Sequence, residues 1–140
     1  NPLIVVGTIP VYENKVLLCK RAIEPRSNTW TFPAGFMELS ESTAEGAKRE
    51  TVEESGAIVE IGNLFTVIDV PQTNQLHIYY LAKAADDHLD PGIESLEAAY
   101  FEIDDIPWDN LAFRSISTTL GHYVRALETG DFGPFNYTLE

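Results

Sequence analysis

Cysteine occurs once in this chain of 140 residues, as Cys19, and lysine and arginine together number only nine. A single thiol excludes an internal disulfide and a multi-cysteine zinc site within the chain, and it suits a reducing compartment, so a cytoplasmic protein is expected. Nine basic residues against 22 acidic ones leave a formal net charge of −13, with no basic cluster to offset it. That field repels DNA and RNA, so no nucleic-acid partner is expected. Small phosphate-bearing molecules are repelled too, unless divalent cations stand between carboxylates and phosphates. No apolar run approaches the roughly 18 residues of a membrane span, and Asn1 to Lys15 lack the basic start and cleavage site of a signal peptide. No membrane partner is expected. A glycine-rich dinucleotide fingerprint and GxxxxGK[ST] are both missing, which leaves Rossmann and P-loop sites without support.

What is present is 44% hydrophobic, enough for one compact domain over residues 1–140. LIVVGTIPVY and KVLLCKRA are β-rich runs separated by Glu13 and Asn14, which reads as a hairpin, and residues 23–29 follow as a loop. TWTFPAGF reads as a strand end broken by Pro33 and Gly35. IVEIGNLFTVIDV and QLHIYYLAKAA, joined by the turn-like PQTN, form a further strand pair, and SLEAAYFEID makes another strand. Near the end, Phe113, Ile116, Leu120, Tyr123, Val124 and Leu127 recur at three- and four-residue spacing, the mark of a helix with one buried face. Helices packing on a mixed sheet make the fold class α/β or α+β, a layered sandwich.

Between these elements lies GFMELSESTAEGAKRETVEESGA. Ser42 and Glu45 form a capping box, good helix formers run from Ala44 to Glu54, and Gly56 stands where a left-handed C-terminal cap belongs. At 100° per residue, Glu50, Glu53 and Glu54 fall within an arc of about 100° on that helix. Their repulsion calls for compensation. Arg49 is expected to reach Glu45 and Glu53, one turn either side, yet one guanidinium cannot neutralise the cluster. A hard divalent cation can, with a backbone carbonyl from the Ala34–Gly35 loop completing an all-oxygen ligand set suited to Mg²⁺ or Mn²⁺. A solvated acidic face is the alternative.

The stretch resembles the Nudix box, G-x5-E-x7-R-E-U-x-E-E-x-G-U with U apolar. Gly35, Glu41, Arg49, Glu50, Glu53, Glu54 and Gly56 all fall in register, a coincidence of about one in ten million starts or rarer. Thr51 stands where an aliphatic residue is usual, on the narrow stripe of Ala44 and Ala47, and Ala57 is the smallest acceptable apolar residue. The resemblance implies an αβα sandwich and a metal-dependent hydrolase of nucleoside diphosphates linked to another moiety. It implies Glu50, Glu53 and Glu54 as metal ligands, Arg49 as the residue that orients them, Gly35 as a tight turn beside a main-chain ligand at Ala34–Gly35, and Glu41 in a supporting or substrate-side role. A general base is expected either in the box, with Glu53, or in the late loop DPGIESLE, with Glu94 first and Glu97 second. Glu53 and Glu54 are both expected to project into solvent-filled space.

Resemblance extends past the box. VVG, KVLLCKR, TWTFPAGF, PGIESLEAAYF and IPWDNLAF are similar to the FAD/ADP-ribose pyrophosphohydrolases of the family, and Pro71, 15 residues beyond Gly56, lies near a proline of its ADP-ribose-cleaving members. ADP-ribose or FAD is therefore the expected substrate, AMP a product, and a homodimer possible. Arg21 and, less favourably placed, Arg26 are candidates for phosphate contacts. Phe36 and Trp30 are candidates for stacking on a base or flavin, with a core role as the alternative. Cys19 reads as a small buried hydrophobe and no role is assigned to His77, His88 or His122. The competing functions are a nucleoside triphosphate pyrophosphohydrolase and a nucleotide-sensing module, although sensors usually lack one of the box glutamates that this chain retains.

Overall fold

The computed structural model describes residues 1–140. Strands β1 (Leu3–Tyr12) and β2 (Lys15–Arg21) form the expected hairpin. Glu13 and Asn14 take φ of 49° and 66°, the two positive angles that a two-residue type I′ turn demands. TWTFPAGF becomes two short strands, β3 (Trp30–Thr31) and β4 (Ala34–Phe36). β5 (Val59–Val70) and β6 (Gln75–Ala84) pair antiparallel as expected, across a 3₁₀ turn at Pro71–Thr73. β7 (Ser95–Phe101) is shorter than its sequence pattern suggested, because Ile103–Asp105 coils into a 3₁₀ turn. A last strand, β8 (Phe135–Thr138), lies parallel to β5; only four residues long, it carries too little alternation to stand out in the sequence.

The sheet runs β3-β2-β1-β6-β5-β8, with β4 on β1 and β7 on β2. β1 pairs in parallel with β6 from Leu3 to Val11. Its other edge is shared, β4 taking Val5 to Gly7 and β2 taking Val11 and Tyr12. That sharing drives β4 into the middle of the molecule.

Alternation along β2 divides the core. Leu17 joins Ala57, Val59, Ala82 and Ala84 on one face, while Val16 and Leu18 join Phe32, Phe65, Ile68 and Tyr79 on the other. Helix α1 (Thr43–Ser55) covers the first face and α2 (Arg114–Thr129) the second, burying Ile116, Leu120, Tyr123 and Ala126. The sheet thus sits between helices, an αβα sandwich. Two members of the expected α2 stripe lie off it. Leu127 is 50% exposed, and Phe113 is the N-cap residue rather than part of the helix.

Thr51, unusual for its position in the box, is wholly buried and hydrogen-bonded. Its hydroxyl donates to the Ala47 carbonyl at 2.7 Å, which leaves its oxygen to accept from Thr8 Oγ1 on β1 at 2.6 Å. A buried hydroxyl pair thus stands where an aliphatic contact is usual, and its value depends on both partners. Thr51→Val is expected to strand the Thr8 hydroxyl and cost about 1–3 kcal/mol in urea unfolding, whereas Thr8→Val/Thr51→Val recovers most of it. Additive losses in the double variant would contradict the pairing.

Candidate active site

Helix α1 starts and stops where its sequence signals place it. Glu45 N–H donates to Ser42 Oγ at 3.1 Å while Ser42 N–H donates to Glu45 Oε1 at 2.7 Å, and Gly56, at φ 77°, donates to the Val52 carbonyl. The capping box occupies Glu45, so Arg49 turns to a different partner than its helical spacing suggested. Nε and Nη2 clasp the two oxygens of Glu41 at 3.0 and 2.8 Å. Nη1 reaches Glu50 at 2.8 Å and Glu53 at 3.2 Å, and Nη2 also donates to the Phe36 carbonyl at 3.2 Å. Arg49 therefore ties the loop after β4 to the acidic face of α1. Its hydrogen bonds, with the Glu38 amide bond to Glu41 at 2.8 Å, hold the Glu41 carboxyl down to about 2.

The remaining acids are less well served. Glu50 is 9% exposed, and burial pushes its carboxyl up in spite of Arg49. Glu54 is corrected more sharply, for it does not project into solvent. It folds beneath β4, where the Ala34 amide donates to its Oε1 at 2.9 Å, and burial pushes its carboxyl up to about 8. Glu53, with its side chain 55% exposed, does face solvent. A Cβ built on Gly35 would collide with the Glu50 carboxyl, so only glycine lets the β4 backbone lie against that acid. The carboxylates are not drawn into one coordination cluster; each is engaged by a protein donor instead. Their chemistry nevertheless fits a hard cation, because the available donors are carboxylate and carbonyl oxygens alone and two of the acids are desolvated without full compensation.

The loop before β7 is fastened to the end of α1. Asp90 N–H donates to the Ser55 carbonyl at 2.7 Å and Gly92 N–H to the Glu54 carbonyl at 3.4 Å. Exposed Glu94 follows, its carbonyl accepting from Ala22 at 2.9 Å, and it shares a narrow cleft with Glu54, Arg21 and Cys19. Cys19 is buried, as expected. Glu97 lies on β7 opposite Lys20 and does not line that cleft.

On the other side of β4 a cavity of about 880 Å³ opens between the sheet and the start of α2. Ala34, Gly35 and Phe36 form part of its wall, so one short strand borders both the acids and the cavity. Arg21 lines it as well, its guanidinium 5.1 Å from the Phe113 ring centroid and its Nε bonded to the Pro25 carbonyl at 2.9 Å. Arg26 donates to the carbonyls of Ala112 and Leu111 at 2.9 and 3.3 Å, fastening the 23–29 loop to the start of α2. Phe36 is 52% exposed. Trp30 is core, edge-on to Phe101 with centroids 4.9 Å apart. Pro71 is exposed and stands outside the cavity wall, to which its neighbours Val70, Gln72 and Thr73 contribute. Sequence reasoning passed over His77, Gln75 and Ser115, which also line the cavity; the alternation of Gln75, His77 and Tyr79 along β6 was the available signal.

These features have counterparts in known proteins. The NUDIX domain family model matches residues 2–119. A crystal structure of a NUDIX hydrolase from Nitrosomonas europaea superposes with TM-score 0.97 at 45% identity, covering 99% of this chain and 79% of that one. An ADP-ribose pyrophosphatase of Methanocaldococcus jannaschii is 30% identical over 117 residues, 81% of this chain and 68% of its own. A Bacillus subtilis relative is 33% identical over 102 residues, 68% of this chain, and the match spans about half of that protein, 48%. The chain belongs to the NUDIX family and, within it, to the Nudix hydrolases.

Glu41 supplies a pH signature. Its carboxyl is more acidic folded than unfolded, so its contribution is complete above the ordinary glutamate value and fades as the pH falls toward about 2. With side-chain exposures of 15% and 22% for Glu41 and Arg49 and bidentate geometry, the pair exceeds an ordinary surface ion pair. Glu41→Gln is expected to melt several degrees below the unaltered protein at neutral pH, the gap closing progressively below about pH 4. Equal melting temperatures at neutral pH would contradict it.

Proposed function

We propose that residues 1–140 form a single Nudix domain that hydrolyses the diphosphate of ADP-ribose, and secondarily of FAD, in the presence of Mg²⁺. AMP would leave with ribose 5-phosphate in the first case and with FMN in the second. The observation that carries this reading is the shared strand β4, which borders the desolvated acids Glu50 and Glu54 on one side and the cavity of about 880 Å³ on the other. A diphosphate seated across that strand meets the acids while its organic part fills the cavity. The ADP-ribose pyrophosphatase relative supports the choice of substrate.

Glu50, Glu53, Glu54 and a carbonyl of Ala34 or Gly35 would hold the cation, with Mn²⁺ as a substitute. When bound, it supplies positive charge that admits an anionic diphosphate and acidifies water beside it. Arg49 keeps Glu50 and Glu53 oriented, and Glu41 acts through Arg49 by fixing the guanidinium. Glu94, at the mouth of the cleft it shares with Glu54, is the proposed general base, with Glu53 the alternative within the box. Arg21 is the proposed phosphate contact, since its terminal nitrogens remain available beside the bond to Pro25. Phe36 offers a ring face to a base or flavin, and Pro71 shapes the turn that carries Gln72 and Thr73. The reading includes a cytoplasmic location, which the single buried thiol supports, and assembly as a homodimer, which light scattering on the purified chain tests.

The deciding experiment compares kcat/KM for ADP-ribose, FAD, NADH and a panel of nucleoside triphosphates, with Mg²⁺ and with chelator. ADP-ribose should lead, and chelator should abolish turnover. Preference for triphosphates with release of pyrophosphate would replace this reading with a nucleotide-sanitising one, and binding without turnover would replace it with a sensor. Glu53→Gln is expected to lose about 10³-fold in kcat/KM with an unchanged melting temperature, because its side chain is exposed. Glu54→Gln should lose activity similarly without loss of metal-free stability, since it removes a desolvated carboxyl. Near-unaltered turnover in either variant contradicts the assignment.

A further inference from the structure

The cavity wall carries a half-buried polar chain that the proposed hydrolysis leaves unused. Along β6, side chains at 75, 77 and 79 share one face of the sheet, and Gln75, His77 and Tyr79 all line the cavity, as does Val5, the β1 partner of His77. Tyr80 points the other way, its hydroxyl 2.6 Å from Thr43 Oγ1 on α1. His77 Nε2 lies 2.8 Å from Gln75 Oε1, and His77 Nδ1 lies 3.2 Å from Ser115 Oγ on α2. Ser115 is 2% exposed.

The donors and acceptors can be ordered. Gln75 Oε1 only accepts, so His77 carries its proton on Nε2. Nδ1 then accepts from Ser115 Oγ. Burial holds His77 below the ordinary imidazole value, in keeping with a neutral ring. Both protons run one way, from Ser115 through His77 to Gln75. The chain ends on the Gln75 carboxamide with its oxygen occupied and its two N–H donors unspent.

A neutral carboxamide beside aromatic faces is suited to a planar heterocycle bearing ring acceptors. Phe36 and Phe113 line the same cavity at 52% and 36% exposure. A sugar phosphate would want free cations at that wall. Of the arginines lining the cavity, Arg26 donates to the carbonyls of Ala112 and Leu111 and Arg114 to that of Glu140, and Arg21 is the one assigned to the diphosphate above. We infer that Gln75, oriented by His77 and Ser115, reads the acceptor edge of the purine in the AMP half of the substrate. This rests on the cavity being the substrate site proposed above. Gln75 contacts the base, while His77 and Ser115 are positioning residues that act through it.

Calorimetric titration of the Mg²⁺-loaded protein with AMP and with ribose 5-phosphate tests this apart from catalysis, alongside steady-state turnover of ADP-ribose. Gln75→Glu keeps the side-chain volume and removes both donors; His77→Ala removes the support. Each should weaken AMP binding about tenfold and raise the KM for ADP-ribose by a similar factor, with kcat within about threefold and the ribose 5-phosphate titration unchanged. Gln75, partly exposed at the cavity wall, keeps the test valid should His77→Ala fold poorly. An unchanged AMP affinity in Gln75→Glu, or an equal change for ribose 5-phosphate, overturns the inference. Tenfold weaker AMP binding in a protein that does not hydrolyse ADP-ribose would uphold it and overturn the proposed activity instead.

Discussion

The site depends on one guanidinium serving more carboxylates than it can neutralise. Arg49 gives its bidentate face to Glu41 and shares a single nitrogen between Glu50 and Glu53, leaving Glu54 to the Ala34 amide. Burial raises both Glu50 and Glu54, so this corner holds acids in an environment that disfavours their charge. A protein has no stability reason to bury acids this way, and a second positive charge resolves the conflict. Arg49 sets the positions of the acids, and the deficit it leaves is the reason a cation is proposed there.

The sheet then separates two tasks. Its α1 face carries the acids, its α2 face carries the cavity and the Ser115–Gln75 chain, and β4 connects them because it pairs with Val5 to Gly7 on one edge of β1. Two glycines make that connection possible. Gly35 admits the Glu50 carboxyl, and at Gly7 a Cβ would meet Ala34, the Pro33 carbonyl and the Tyr79 ring. On the proposed reading, substrate charge and substrate shape are met on opposite sides of a three-residue strand.

What could be read from the sequence was local. The caps of α1, the turn at Glu13–Asn14 and the pairing of β5 with β6 each rest on residues a few positions apart, and the register of the acidic box does too. What could not be read was assembled across the chain. Glu41 comes to Arg49 from the loop before α1, displacing the Glu45 pairing that helical spacing suggested. Glu54 turns inward because β4 offers it an amide from 20 residues away. The Thr8–Thr51 and His77–Ser115 contacts join residues 43 and 38 positions apart, and no local periodicity reports them. The same holds for Phe113, which its spacing assigned to a buried stripe and the fold places at the cavity rim.

Anomalous diffraction from a crystal soaked in Mn²⁺ and AMP tests the central claim most directly. The account predicts manganese density among the carboxylates of Glu50, Glu53 and Glu54 and the carbonyls of Ala34 and Gly35, with the AMP phosphate beside it. Manganese absent from that corner, with the nucleotide bound elsewhere, would contradict it.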